Sequence, residues 1–126
     1  MKLRIQNNTL RLRLTRSELA RFEETGKVTA ITEFGAAPSQ RLVYVLQSSD
    51  DSPNLGARYA HGSITVTMPL ALAKQWIQDD QVGIEAEQPL GNNGSLKIIV
   101  EKDLTCFVKV NEEENTDTFP RPNEGG

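Results

Sequence analysis

A single cysteine and a single histidine, Cys106 and His61, remove several chemistries from this chain of 126 residues. One cysteine excludes an internal disulfide. One His and one Cys cannot supply the usual ligand set of a zinc site. A His–Cys nucleophilic pair would need these two residues to meet in space. His61 falls where a hairpin turn is expected, and Cys106 lies among apolar neighbours as a small buried hydrophobe. No stretch approaches the roughly 20 apolar residues that span a bilayer. No Gly-x-Gly-x-x-Gly or phosphate-loop pattern occurs; Gly91-Asn92-Asn93-Gly94 lacks the lysine and reads as a turn. Positive charge is not in surplus: 14 Lys and Arg stand against 17 Asp and Glu, a net of −3, which argues against a general nucleic-acid binder. The opening MKLRIQNNTLRLRL alternates apolar and polar residues without an apolar run or a small-residue cleavage site. It does not read as a signal peptide, so the cytoplasm is the expected compartment.

What remains is the composition of one soluble globular domain, 37% apolar and 25% charged. The charge is uneven. Residues 1–54 hold eight Lys/Arg and six Asp/Glu, residues 55–108 four and six, and residues 109–126 two and five. The last segment combines acid residues, two prolines and a terminal Gly-Gly, with Phe119 as its one apolar anchor. It is expected to be a disordered acidic tail. Residues 1–108 are expected to form a single domain.

That domain reads as two units, 1–54 and 55–108. Thr9-Leu10-Arg11-Leu12-Arg13-Leu14 aligns with Ser63-Ile64-Thr65-Val66-Thr67-Met68, fifty-four positions on. Phe22 then falls on Trp76, Val28 on Val82, Glu33 on Glu87 and Leu42 on Leu96, without a gap. Only those last three pairs and Arg4/Arg58 are identical. The support comes from element order and hydrophobic phase. In unit one, a strand over Lys2–Gln6 turns at Asn7-Asn8 into Thr9–Leu14. The pattern Thr15-Arg16-Ser17-Glu18 predicts a capping box, and the helix runs to about Thr25, with Leu19 and Phe22 buried and Gly26 as its stop. Strands follow at 28–34 and 41–47. Unit two repeats the order: strands 57–60 and 63–68, Pro69 opening a helix over Leu70–Gln78 with Leu72, Ala73 and Trp76 inward, then strands 82–88 and Ser95–Lys102. A short final strand is expected at 105–110. Tyr44 and Tyr59 share strand phase with aliphatic residues. Glu101-Lys102-Asp103 is expected to mark a strand's exit to solvent, with the extension of a polar site as the alternative. The predicted fold is α+β: a mainly antiparallel sheet or partly closed barrel of about eight strands with two helices, built from two strand-strand-helix-strand-strand repeats.

Hairpin arithmetic yields the main candidate site. A two-residue loop at Asn7-Asn8 sets Ile5 against Leu10 and Leu3 against Leu12. On the other face Arg4 meets Arg11 and Lys2 meets Arg13, so four cations share one patch. Like charges directly across strands destabilise a sheet. Lys2, Arg4, Arg11 and Arg13 therefore form a candidate anion site, unless Glu85, Glu87 or Glu33 on neighbouring strands neutralises it. The equivalent face of unit two holds Gly56, Arg58, Thr65 and Thr67. Glu85-Ala86-Glu87 places two carboxylates on one side of a strand, the residue types that ligate a divalent cation.

The stretches KLRIQNNTLRLRLT, SELARFEETGKV and VEKDLTC resemble a family of small uncharacterised bacterial proteins, a domain of unknown function. That resemblance implies a soluble bacterial protein and transfers no catalytic residue. The pairing of Arg11-Leu12-Arg13 with Glu85-Ala86-Glu87 and Lys97 also resembles the triphosphate-tunnel enzymes, whose closed eight-stranded barrels use Glu-x-Glu strands for metal. Here the Glu-rich motif is not N-terminal, Gln88 stands where a lysine is expected, and the chain is short. The leading expectation is a non-catalytic binding or accessory protein that meets an anionic ligand or acidic partner, without cofactor. A metal-dependent phosphohydrolase using Glu85 and Glu87 is the enzymatic alternative. A homodimer formed along an edge strand, basic face to acidic second unit, is the structural one.

Overall fold

The computed structural model describes residues 1–104. The strand expected at 105–110, Cys106, the acidic tail and Phe119 lie outside the described residues. The order is β1 (Lys2–Gln6), β2 (Thr9–Leu14), α1 (Arg16–Thr25), β3 (Lys27–Glu33), β4 (Arg41–Ser49), β5 (Gly56–Ala60), β6 (Ser63–Pro69), α2 (Leu70–Gln78), β7 (Gly83–Pro89) and β8 (Ser95–Lys102). The strands form two four-stranded sheets, ordered β1-β2-β8-β7 and β3-β4-β6-β5. Each sheet has two antiparallel outer pairs around a central parallel pair, β2 with β8 and β4 with β6.

Four of the six pairings are antiparallel, but the expectation of one sheet or a partly closed barrel is corrected. There are two separate mixed sheets and no closed barrel. Hairpins fix antiparallel neighbours locally, but a parallel partner has to come from far along the chain. Each helix carries the chain from one sheet to the other, α1 from β2 to β3 and α2 from β6 to β7. Both sheets therefore contain two strands from each half.

Exchanging each strand for its counterpart four strands along turns the order β1-β2-β8-β7 into β5-β6-β4-β3, the second sheet. The registers agree as well: Leu10 pairs with Ile98, and Ile64 with Tyr44. The gapless fifty-four-residue alignment nevertheless fails at one element. Glu85 pairs with Ile99, whereas Val43, two residues before the counterpart of Ile99, meets Ile31, the counterpart of Glu85. One residue joins α1 to β3, while four join α2 to β7. Buried Val28 accordingly corresponds to buried Ile84, not to Val82, which is exposed.

The local chemistry explains the elements. Thr15 caps α1: its hydroxyl accepts from the Glu18 amide, and Glu18 Oε1 accepts from the Thr15 amide at 2.9 Å. Gly26, at φ 78°, ends the helix in the left-handed region, and its N–H donates to the Phe22 carbonyl. α2 has no side-chain cap at its start, but its last carbonyls gain a cation. Lys102 Nζ donates to the Asp79 carbonyl at 2.8 Å and lies 5.5 Å from the Trp76 ring centre. Lys102 and Asp103 are 8% and 3% exposed, so this end of β8 is buried and does not exit to solvent as expected.

The core lies between the inner faces of the sheets. Leu10, Leu12, Leu14, Ile98 and Val100 from one sheet meet Val28, Leu46, Ile64, Val66 and Met68 from the other. Phe22 and Trp76 close it from the helices, and Trp76 is fully buried. Tyr44 packs against the core, but Tyr59 is 70% exposed because β5 is an edge strand. Where edges β5 and β7 approach, the Gln88 side chain imitates a strand. Its carboxamide oxygen accepts from the Ala57 amide at 2.7 Å, and its nitrogen donates to the Ala57 carbonyl at 2.9 Å.

Gln88→Ala should lower the unfolding free energy by about 1–3 kcal/mol in urea titrations, because a partly buried N–H and C=O lose their partners. An unchanged midpoint would mean water replaces the amide without cost. A second expectation concerns acid. Burial pushes the Glu18 carboxyl up, but hydrogen bonds from the Met1 amine, the Thr15 amide and the Thr15 hydroxyl, with the amine's charge, hold it below its ordinary value. A group depressed in the folded state stabilises the fold above its unfolded value, and that contribution is lost as pH falls through the folded one. The melting-temperature gap between wild type and Glu18→Gln should be full near pH 7 and shrink below about pH 4. A pH-independent gap would contradict this role.

Candidate anion-binding face

The β1–β2 hairpin has the register expected from its sequence: Lys2 faces Arg13, Leu3 faces Leu12, Arg4 faces Arg11 and Ile5 faces Leu10. Asn7 makes this possible by adopting φ 53°, a conformation Asn tolerates better than most residues. Asn8 ties the turn to the sheet by donating from Nδ2 to the Ser95 carbonyl at 3.0 Å. Leucines point into the core, so the four cations share the outer face. Lys2, Arg4, Arg11 and Arg13 line a single concavity of about 480 Å³ together with Met1, Leu3 and Tyr44.

The neutralising carboxylates are not those expected. Glu33 pairs with Arg41 at 3.4 Å in the other sheet, and Glu85 pairs with Lys97 at 3.5 Å. Glu101 serves the arginines instead. Its Oε2 accepts from Arg13 Nε at 2.9 Å, lies 2.8 Å from Arg13 Nη2 and 3.7 Å from Arg11 Nη1. Its side chain is only 16% exposed, so this pair is less screened than a surface salt bridge. Lys2 lies 3.6 Å from the buried carboxylate of Asp103. Among the described residues no carboxylate pairs with Arg4, so four cations meet two carboxylates.

Pairing register extends the face across the sheet. Arg4, Arg11, Ile99 and Glu85 form one row, and Lys2, Arg13, Glu101 and Gly83 the next. Glu87 stands beside Lys97 in a third. The Arg-x-Arg and Glu-x-Glu strands do share a face, with β8 between them and a separation of roughly 10 Å. That face is the outside of an open sheet, whereas a tunnel would enclose it in a lumen. The described residues hold no group of three or more His, Cys, Asp or Glu placed to bind a metal. His61 has φ 52° at the first turn position of β5–β6, beside Gly62 at φ 74°.

Sequence reasoning allowed Glu101 to extend a polar site but did not pair it with Arg13, 88 residues away. The signal was its alternation in phase with Lys97 and Ile99, but reading it required the parallel β2–β8 pairing. The other sheet makes the same contact without charge. Gln47 and Thr67 occupy the positions of Glu101 and Arg13, and Gln47 Nε2 donates to Thr67 Oγ1 at 3.2 Å. Ile99 and Val45, also counterparts, are each buried at the centre of an outer face.

A fold of two mixed four-stranded sheets bridged by two helices, with a basic groove on one outer face, defines the class structurally. The chain belongs to a family of unknown function, DUF7009, whose model matches residues 1–123. No curated protein and no solved structure matches it.

Glu101→Gln should destabilise the fold by about 1–2 kcal/mol at low ionic strength, since two arginines lose a mostly buried counter-charge. Added salt should recover part of the loss in thermal melts. A salt-independent loss would indicate a packing effect and not charge.

Proposed function

We propose that this chain is a small, non-catalytic bacterial binding or accessory protein of the cytoplasm, whose basic face receives an anionic ligand or acidic partner. One observation carries the reading: Lys2, Arg4, Arg11 and Arg13 line one concavity, with two carboxylates between them among the described residues. Arg4 and Arg11 stand directly across from each other, so an anion between them would relieve their repulsion. Guanidinium forks suit phosphate or carboxylate oxygens. In the same reading the two halves are repeats of one unit. The two sheets correspond strand for strand, and one carries Arg11, Arg13 and Glu101 where the other has Thr65, Thr67 and Gln47.

Thermal-shift titration with phosphate, pyrophosphate and tripolyphosphate tests this. A ligand at 100 times its dissociation constant should add about 2.7 kcal/mol of stability. The shift should fall with salt and vanish in Arg4→Gln/Arg11→Gln. No shift from any polyanion would end the proposal. A magnesium- or manganese-dependent shift abolished by Glu85→Gln would support the phosphohydrolase reading instead.

A further inference from the structure

The end of the molecule opposite the helices holds a second concavity, of about 540 Å³, unrelated to the basic face. It opens between the two sheets beside the Asn7-Asn8 turn. Its walls follow the internal correspondence: Ile5 and Tyr59, Leu10 and Ile64, and Leu42 and Leu96 are three pairs of positions fifty-four apart, and all six line it. Leu10 and Ile64 are buried at its floor, while Ile5, Tyr59 and Leu90 are exposed at its rim. These three are among the few large apolar side chains exposed on the described surface. Burying them would recover hydrophobic free energy that the protein alone forgoes.

Five polar residues share the lining, Asn7, Asn8, Thr9, Arg58 and Gln88, and two of their side chains are committed. Gln88 spends its carboxamide on Ala57, and Asn8 donates to Ser95. Arg58 borders the mouth of the cleft from the edge strand β5, where it is exposed and alternates with the inward Ala57 and Tyr59, and no carboxylate of the described residues pairs with it. An apolar cleft of this size with one unengaged cation at its mouth has the form of a small-molecule site, which typically encloses roughly 300–1,000 Å³. The occupant it suits is apolar along its length and carries a single negative charge. We infer that the cleft binds a straight-chain aliphatic carboxylate, its tail between the paired walls and its head on Arg58. The charge complementarity distinguishes this occupant from a neutral lipid.

The test uses the full chain, isotope-labelled, titrated with octanoate, decanoate and dodecanoate below their micelle concentrations. Saturable amide and methyl shifts should centre on Ile5, Leu42, Tyr59 and Leu96. Affinity should tighten by roughly fourfold per added methylene until the cleft is filled. Arg58→Gln should weaken octanoate about tenfold and leave octan-1-ol unchanged. Leu90→Glu, a change at the exposed rim, should weaken every chain length without unfolding the protein. No saturable shift, equal affinity for octanoate and octan-1-ol, or shifts centred on the groove that Glu23 of α1 and Leu70, Lys74 and Ile77 of α2 line would overturn the inference. So would cleft shifts that grow with protein concentration alone, which would assign the face to a second copy.

Discussion

The central parallel pairing, β2 with β8 and β4 with β6, is the constraint on which the rest of this structure depends. Each pair joins a strand of the first half to a strand of the second. Neither half can complete a sheet without the other, and the core forms only when both sheets close over Phe22 and Trp76. β2 and β8 meet across some 88 residues, so much of the chain must be collapsed before that ladder is closed. Such non-local pairing carries a loop-closure cost that local hairpins do not. The four hairpins and the capped α1 are local structures that can form early and wait for it.

The same pairing decides the electrostatics. By laying β8 against β2 it puts Glu101 beside Arg13 and within reach of Arg11, and it brings Asp103 toward Lys2. The hairpin alone would hold four cations at strand spacing with nothing to offset them. In the second sheet the identical register brings Gln47 to Thr67, a neutral contact that needs no counter-charge. One backbone arrangement thus supports a charged contact at the central parallel pair of one sheet and a neutral one at that of the other. The polarity runs across the first sheet, from cations on β1 and β2 to carboxylates on β7.

Lys102 shows how the end of β8 joins the layers. It sits on the inner face opposite Leu14, where a lysine would normally be unfavourable. Its stem lies in the core and its ammonium meets the Asp79 carbonyl at the end of α2, near the Trp76 ring. The indole nitrogen of Trp76 donates to the Val82 carbonyl, which fixes the longer α2–β7 connection. That connection is where the two halves lose their common spacing. The Val28/Val82 and Glu33/Glu87 identities are therefore coincidences of sequence, while Leu42/Leu96 and Arg4/Arg58 occupy equivalent places.

The sequence by itself determined whatever depends on neighbours. Alternation in TLRLRL set which side chains face inward, and Asn7-Asn8 set the hairpin register and so the cation cluster. The Thr15–Glu18 box and Gly26 set the limits of α1. Only the tertiary structure decided that there are two sheets and no barrel, that Glu101 and not Glu85 or Glu33 answers the arginines, and that Lys102 and Asp103 are buried. It also decided that residues fifty-four apart line one cleft. The physical reason is common to all four. Turn and cap chemistry acts over a few residues, whereas a parallel ladder joins distant segments, and no local pattern names its partner.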